Sequence, residues 1–303
     1  MQSLRLDYWP PLAVAPLMRF LSDRAVPGVE VFDGVTFRRS IRTHGDRGVV
    51  IGLTPHATRP HVAFEARIDD PDDVAEAVRA SRRLLDLDAD SALIDASLST
   101  DPALEPLVRA RPGLRLPGAI DGFEVAVRAI LGQQISVRAA RTLAGRIVSR
   151  AGTPLEREQA VQGVTHLFPT PDQLAEAPLE ELGITRRRVG TIRHLAELVA
   201  SGLALAEHAD HEAVRDSLRA IPGIGPWTVA YISMRALHDP DAFPASDLGV
   251  REGFHALGLP TAASAIADRA ARWRPWRGYA VMHLWDRGVL AGDEAPVLPH
   301  TRH

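Results

Sequence analysis

The stretch that decides how this chain is read is LRAIPGIGPWTVAYISMRAL, residues 218–237. Gly223 and Gly225 stand one residue apart, after an apolar approach and just before Pro226, which suits a first helical position. Leu218, Ile221 and Ile224 keep an apolar face through the turn, so the segment reads as two helices packed across a tight connection. Glycine here means that the backbone turns sharply or that something comes close to it. The free N–H groups at the start of the second helix, beside glycines without Cβ, form a site for an anion such as phosphate. An ordinary αα-corner would also use a Gly-x-Gly for packing alone, and the turn by itself leaves both readings open.

Two features follow the hairpin. In HDPDAFPASDLGVREGF (238–254), Asp247 lies directly before a helical stretch, where an aspartate commonly serves as a cap or a first-turn charge. Trp227 and Tyr231 are four apart and share a face of the second hairpin helix. RWRPWRGYAVMHLW (272–285) adds Trp273, Trp276 and Trp285; aromatics at this spacing usually belong to a core, the reading kept for Trp273 and Trp276.

Composition sets the bounds. At 303 residues the chain has room for two domains. No apolar run is long enough to span a membrane, and the N-terminus lacks a secretory layout. Cysteine is absent, which excludes disulfides, thiolate zinc, iron–sulfur clusters and cysteine nucleophiles. Lysine is absent too, all 35 Lys and Arg positions being Arg, so no lysine can form a Schiff base. The net charge of −3 hides an asymmetry: residues 65–105 carry twelve carboxylates against four arginines. A polyanion would be met elsewhere, by local arginines and backbone dipoles. The arginine runs TRRRVGTIR (185–193) and 269–277 could touch phosphate, although such runs are commonly solvated helix faces.

The first hundred residues read as mixed α/β. SLRLDY is a strand, 12–24 a helix, and VEVFDGVTFRRSI two strands joined at Asp33-Gly34; RGVVIGL and HVAFEARI extend the sheet, and Asp70-Pro71 opens a helix. From about residue 101 the periodicity is helical, with helices over 121–131, 136–150, 171–177, 178–182, 186–201, 211–220, 226–237, 247–256, 261–272 and 278–290. RPGLRLPG (111–118) links the two regimes. The expected division is 1–110, a mixed α/β domain; 111–290, a helical core; and 291–303, a disordered tail.

IPGIGPWTVAY resembles the helix-hairpin-helix DNA-binding motif across its span, including Thr228. Asp247, placed 22 residues after Gly225, matches the catalytic aspartate of the helix-hairpin-helix DNA glycosylases. LDYWPP, FLSDRAVPGVE, RPGLRLPGAIDGFEVAVRAILGQQIS, RWRPWRGYA and MHLW extend the resemblance over nearly the whole chain, to the bacterial 3-methyladenine DNA glycosylase II type. It implies an α+β fold, with an N-terminal domain like half of a TATA-binding protein before an all-α glycosylase core. It implies DNA backbone at Gly223, Gly225, Pro226 and Thr228, and a base pocket lined by Trp227, Tyr231, Trp285 and Phe20. Gln134, in ILGQQIS, falls where a side chain fills the gap left by a flipped nucleotide; the best-known form of the pattern has Leu there, and a Gln capping the helix–loop junction is the plainer reading. Related proteins hold a monovalent cation on hairpin carbonyls, here those of Arg219, Ile221 and Ile224.

The chemistry implied is hydrolysis. Breaking an N-glycosidic bond builds positive charge on deoxyribose, which a carboxylate beneath the sugar stabilises while it orients or deprotonates water. Purines alkylated at N3 or N7 are cationic and stack well on indoles. Lyase members of the superfamily place Lys where this chain has Trp227, so a monofunctional enzyme is expected. Ser246 and Leu248 depart from patterns that carry a second acid and an aromatic. The reading is a monomeric, cytoplasmic, nucleoid-associated bacterial base-excision enzyme acting on double-stranded DNA with alkylated bases, with no iron–sulfur cluster. Its rivals are a non-catalytic helix-hairpin-helix DNA-binding or damage-recognition module and a mismatch-directed glycosylase.

Overall fold

A computed structural model describes residues 1–161 and 163–286. The expected tail at 291–303, and the last residues of the expected 278–290 helix, lie outside the described residues. The fold is α+β. The N-terminal region holds β1 (Gln2–Asp7), α1 (Val14–Arg24), β2 (Glu30–Phe32), β3 (Phe37–Arg42), β4 (Gly48–Pro55) and β5 (His61–Ala66). The strands form one antiparallel sheet in the order β1-β5-β4-β3-β2, so the N-terminal strand pairs with the last one, Leu4 opposite Phe64. The turn at Asp33-Gly34 closes as the sequence predicts: Gly34 has φ 97°, and Asp33 accepts the amides of Val35 and Thr36.

Three helices follow: α2 (Pro71–Leu85), α3 (Ser91–Leu98) and α4 (Glu105–Ala110). The periodicity reading misses α3 and α4. Both are too short to show a period, and α3 also carries an exposed Leu93 beside the buried Ile94 and Leu98, although Asp90 caps it by accepting the Leu93 amide at 3.0 Å. The 111–118 link is buried at its centre. Arg115, 1% exposed, donates to the carbonyls of Trp9, Pro11, Asp86 and Ala89, so the link is fastened to the N-terminal region.

The helical part comprises α5 (Gly122–Leu131), α6 (Val137–Ala151), the small hairpin β6 (Thr153–Pro154) and β7 (His166–Leu167), α7 (Pro171–Glu176), α8 (Arg186–Ala200), α9 (His211–Ala220), α10 (Pro226–Arg235), α11 (Leu248–Ala256), α12 (Ala263–Ala270) and α13 (Arg277–Trp285). Caps set many of the boundaries: Thr170 and Gln173 form a capping box at α7, and Asp121, Ser136, Thr185 and Asp210 cap α5, α6, α8 and α9.

Two hydrophobic cores result, and they interleave along the chain. One joins α5, α6, α8, α9 and α10, with Ile130, Ile192, Leu218 and Ile232 at its centre. The other joins the sheet to the C-terminal helices, packing Phe37, Ile51 and Phe64 into one cluster with Phe254, Trp273 and Tyr279. Where the cores meet, Arg39 of β3 reaches Glu30 at 2.8 Å and Glu124 of α5 at 2.7 Å, and Arg128 of α5 bonds the same two carboxylates. Burial alone would raise the Glu124 carboxyl, but Arg39 and Arg128 hold it below its usual range.

Candidate functional site

The hairpin forms between α9 and α10 with Leu218, Ile221 and Ile224 all buried. Its glycines are there for different reasons. Gly223 has φ 98°, and a Cβ on it would lie 2.3 Å from Thr191 Oγ1, so both conformation and packing demand glycine. Gly225 has φ −97°, and a Cβ there would meet nothing within 4 Å. Nothing among the described residues requires glycine at 225.

The turn is also polarised. Thr191 Oγ1 donates to the Pro222 carbonyl at 2.8 Å, and Gln133 Nε2 donates at 2.9 Å to both the Gly223 carbonyl and Thr228 Oγ1. Carbonyls are thus tied inward, while the amides of Gly225, Trp227 and Thr228 have no acceptor among the described residues. Such a turn leaves amide donors without partners and suits an anion. Of the carbonyls at Arg219, Ile221 and Ile224, only that of Ile221 takes a backbone N–H in this turn, from Ile224 at 3.1 Å.

Asp247 caps α11, its Oδ1 accepting the Val250 amide at 2.9 Å. It does more than cap. Trp285 Nε1 donates to Oδ1 at 2.8 Å, and Trp227 Nε1 donates to Oδ2 at 2.7 Å. The carboxylate is 9% exposed and makes no ion pair among the described residues. Three neutral donors therefore fix its position and leave its charge uncancelled.

The four aromatics gather around it. Trp227 stacks on Tyr231 with ring centroids 5.3 Å apart, Tyr231 tilts against Trp285 at 6.3 Å, and Phe20 of α1 lies parallel to Trp285 at 6.4 Å. Arg235 donates to the Tyr231 hydroxyl at 3.2 Å, and both Arg24 and Arg235 lie over the Phe20 ring. Burial would raise the Tyr231 phenol, yet Arg235, Arg24 and Arg128 together hold it below its usual value. Trp273 and Trp276 stay apart from this group. Trp273 is 2% exposed and donates to Asp101, and Trp276 packs edge-on against Tyr279.

Gln134 is exposed, at φ 58°, on the loop between α5 and α6; it caps nothing, that task falling to Ser136. Of the arginine runs, Arg188 donates to the Gln133 carbonyl, Arg193 pairs with Glu180, Arg269 with Asp101, and Arg274 and Arg277 with Asp241.

Sequence reasoning misses two residues. Gln133 ties the Gln134 loop to the hairpin, and no local signal separates it from its neighbour. Gly249 sits in the first turn of α11, where a Cβ would lie 2.7 Å from Trp285 Cδ1 and 3.1 Å from Asp247 Oδ1. A glycine inside a helix start, unfavourable by propensity, was the available sign. Among the described residues no helix is long and apolar enough to cross a membrane.

Comparison with known proteins agrees along the chain. Residues 3–121 match the AlkA N-terminal domain family, and residues 127–277 match the HhH-GPD superfamily of base excision DNA repair proteins. The chain is 33% identical over 295 residues to DNA-3-methyladenine glycosylase 2 of Escherichia coli, covering 96% of this chain and 99% of that one. It is 44% identical over 284 residues to the probable bifunctional transcriptional activator/DNA repair enzyme AlkA of Mycobacterium tuberculosis; the match covers 93% of this chain but only 56% of the relative's length. In structure it resembles the 3-methyladenine DNA-glycosylase of Archaeoglobus fulgidus, with TM-score 0.79 and 25% identity, covering 94% of this chain and 97% of that one.

Proposed function

The chain belongs to the HhH-GPD superfamily of base excision DNA repair proteins, in its AlkA branch, and from that premise we propose a monofunctional glycosylase that removes alkylated purines from double-stranded DNA. The observation that carries this reading is the buried Asp247 carboxyl group, clamped by two indole N–H groups beside an aromatic cluster.

Each step of the proposed reaction has a group to serve it. The unpaired amides at Gly225, Trp227 and Thr228 receive a backbone phosphate, and the bare Gly225 lets it come near. Gln134 enters the gap as the damaged nucleotide leaves the stack, which costs a few kcal/mol. The base lies against Trp227, Tyr231, Trp285 and Phe20, where a cationic purine is attracted by the ring faces. The C1′–N bond then breaks, its electron pair leaving with the base, and positive charge develops on the sugar. Asp247 stabilises that charge and accepts a proton from the water that adds to C1′. An abasic site remains.

No lysine occurs anywhere in the chain, so strand cleavage through a lysine Schiff base has no amine to use. The carbonyls of Arg219, Ile221 and Ile224 would hold a sodium or potassium ion between hairpin and phosphate. Arg219 and Ile224 keep their oxygens free of backbone bonds in the turn, which fits such a role. We take the working unit to be a monomer on chromosomal DNA in the bacterial cytoplasm.

The test is a base-release panel on duplexes carrying 3-methyladenine, 7-methylguanine, deaminated or etheno bases, and defined mismatches. Free alkylated base with an unbroken abasic strand is the expected result. Binding without release would make the chain a recognition module, and release from mismatches alone would make it a mismatch-directed enzyme.

A further inference from the structure

The two elements that would grip DNA, the hairpin and the Gln134 loop, come from distant parts of the chain, and one side chain joins them. Gln133 Nε2 is 2.9 Å from the Gly223 carbonyl and 2.9 Å from Thr228 Oγ1. A carbonyl only accepts, so the atom facing it is the nitrogen, and both of its hydrogens are used. Its backbone is held as well, since Arg188 of α8 donates to the Gln133 carbonyl. The next residue, Gln134, is forced to φ 58° and projects into solvent. Thr191 of α8 meanwhile holds the Pro222 carbonyl at 2.8 Å. Helix α8 thus braces both elements, and Gln133 bonds one to the other.

We propose that Gln133 is a positioning residue that fixes the spacing between the phosphate anchor on the hairpin and the Gln134 plug, so that anchoring the strand sets the plug at the nucleotide to be extruded. The side chain touches neither sugar nor base in this scheme. It acts through Gln134, and its cost falls on opening the duplex rather than on bond cleavage. The inference rests on the glycosylase reading above.

That division gives the test. Single-turnover base release is measured for Gln133→Leu on a fully paired duplex and on the same lesion placed in a one-nucleotide bulge, where little opening is needed. The paired substrate should be cleaved about tenfold more slowly than by wild type, and the bulged one within about threefold of it. Combining Gln133→Leu with Gln134→Ala should slow the paired substrate no more than Gln134→Ala does alone, as expected for two residues acting as one. Thr228→Val, which removes one of the two acceptors while keeping the side-chain shape, should give a weaker version of the same pattern and serves if Gln133→Leu does not fold. Equal slowing on both substrates, or additive effects in the double variant, would overturn the proposal. Wild-type protein that releases no base from either substrate would instead remove the glycosylase reading itself.

Discussion

Two buried carboxylates, Asp247 and Glu124, are held in opposite ways. Glu124, 2% exposed, lies between Arg39 and Arg128 and is charge-balanced within the quartet that Glu30 completes. Asp247 is nearly as buried and receives only neutral donors, two indoles and one amide. The first arrangement cancels charge and rivets the sheet to α5; the second fixes a negative charge in place without cancelling it. Asp101 makes the contrast sharper, because it too accepts an indole N–H, from Trp273, yet also pairs with Arg269. A carboxylate meant to face a transient cation has to be immobilised without a guanidinium. Among these acids Asp247 alone meets that condition.

The contrast can be broken by experiment, beginning with Asp247→Asn. Asparagine still caps α11 through its oxygen, but its amide nitrogen would face the Trp227 Nε1–H, donor against donor, so the melting temperature should fall by a few degrees while DNA affinity holds. Base release should fall by about 10³-fold, roughly 4 kcal/mol of lost transition-state stabilisation, in a single-turnover assay. Arg39→Met should do the reverse. It leaves two carboxylates facing one arginine and should cost about 3 kcal/mol of stability in urea unfolding, with the release rate of the folded fraction little changed.

A buried base extends the comparison to pH. His283 is 2% exposed, and burial pushes its imidazole down to about 4. Below the ordinary value of 6.5 the unfolded chain takes a proton that the folded chain refuses, so stability should decline as pH falls from about 6.5 to about 4. The whole limb amounts to roughly 3 kcal/mol at most, and His283→Leu should flatten it in melts across that range. Smallest is Gly249→Ala. The added Cβ presses on Trp285 and Asp247 and should slow release ten- to thirtyfold, about 1.4 to 2 kcal/mol. Stability should not drop in step, because alanine favours the helix by about 1 kcal/mol. A rate that follows stability would mean that the indole clamp does not matter.

Much of this was legible beforehand because it was written in local signals. Helices α7, α8 and α9 carry side-chain caps, and the hairpin carries its proline and glycines. The site was legible only through the resemblance, which assigns Trp227, Tyr231, Asp247 and Trp285 together; taken singly, the aspartate reads as a helix cap and the aromatics as core. The clamp itself was not, since two indole N–H groups converging on one carboxylate is a tertiary fact. The same holds for Gln133, distinguished from Gln134 by nothing but where the chain takes it, and for the Arg39–Glu124 pair, whose members lie 85 positions apart. Helices α3 and α4 escaped because, at eight and six residues, they are too short for a helical period to show.

The interleaved cores carry a consequence for synthesis. The five-stranded sheet leaves the ribosome well before Phe254, Trp273 and Tyr279, which share its core. Until they arrive, part of its apolar face has no cover, an aggregation hazard that a chaperone would have to shield. A nascent chain stalled before α11 should therefore be protease-sensitive even in its completed first hundred residues.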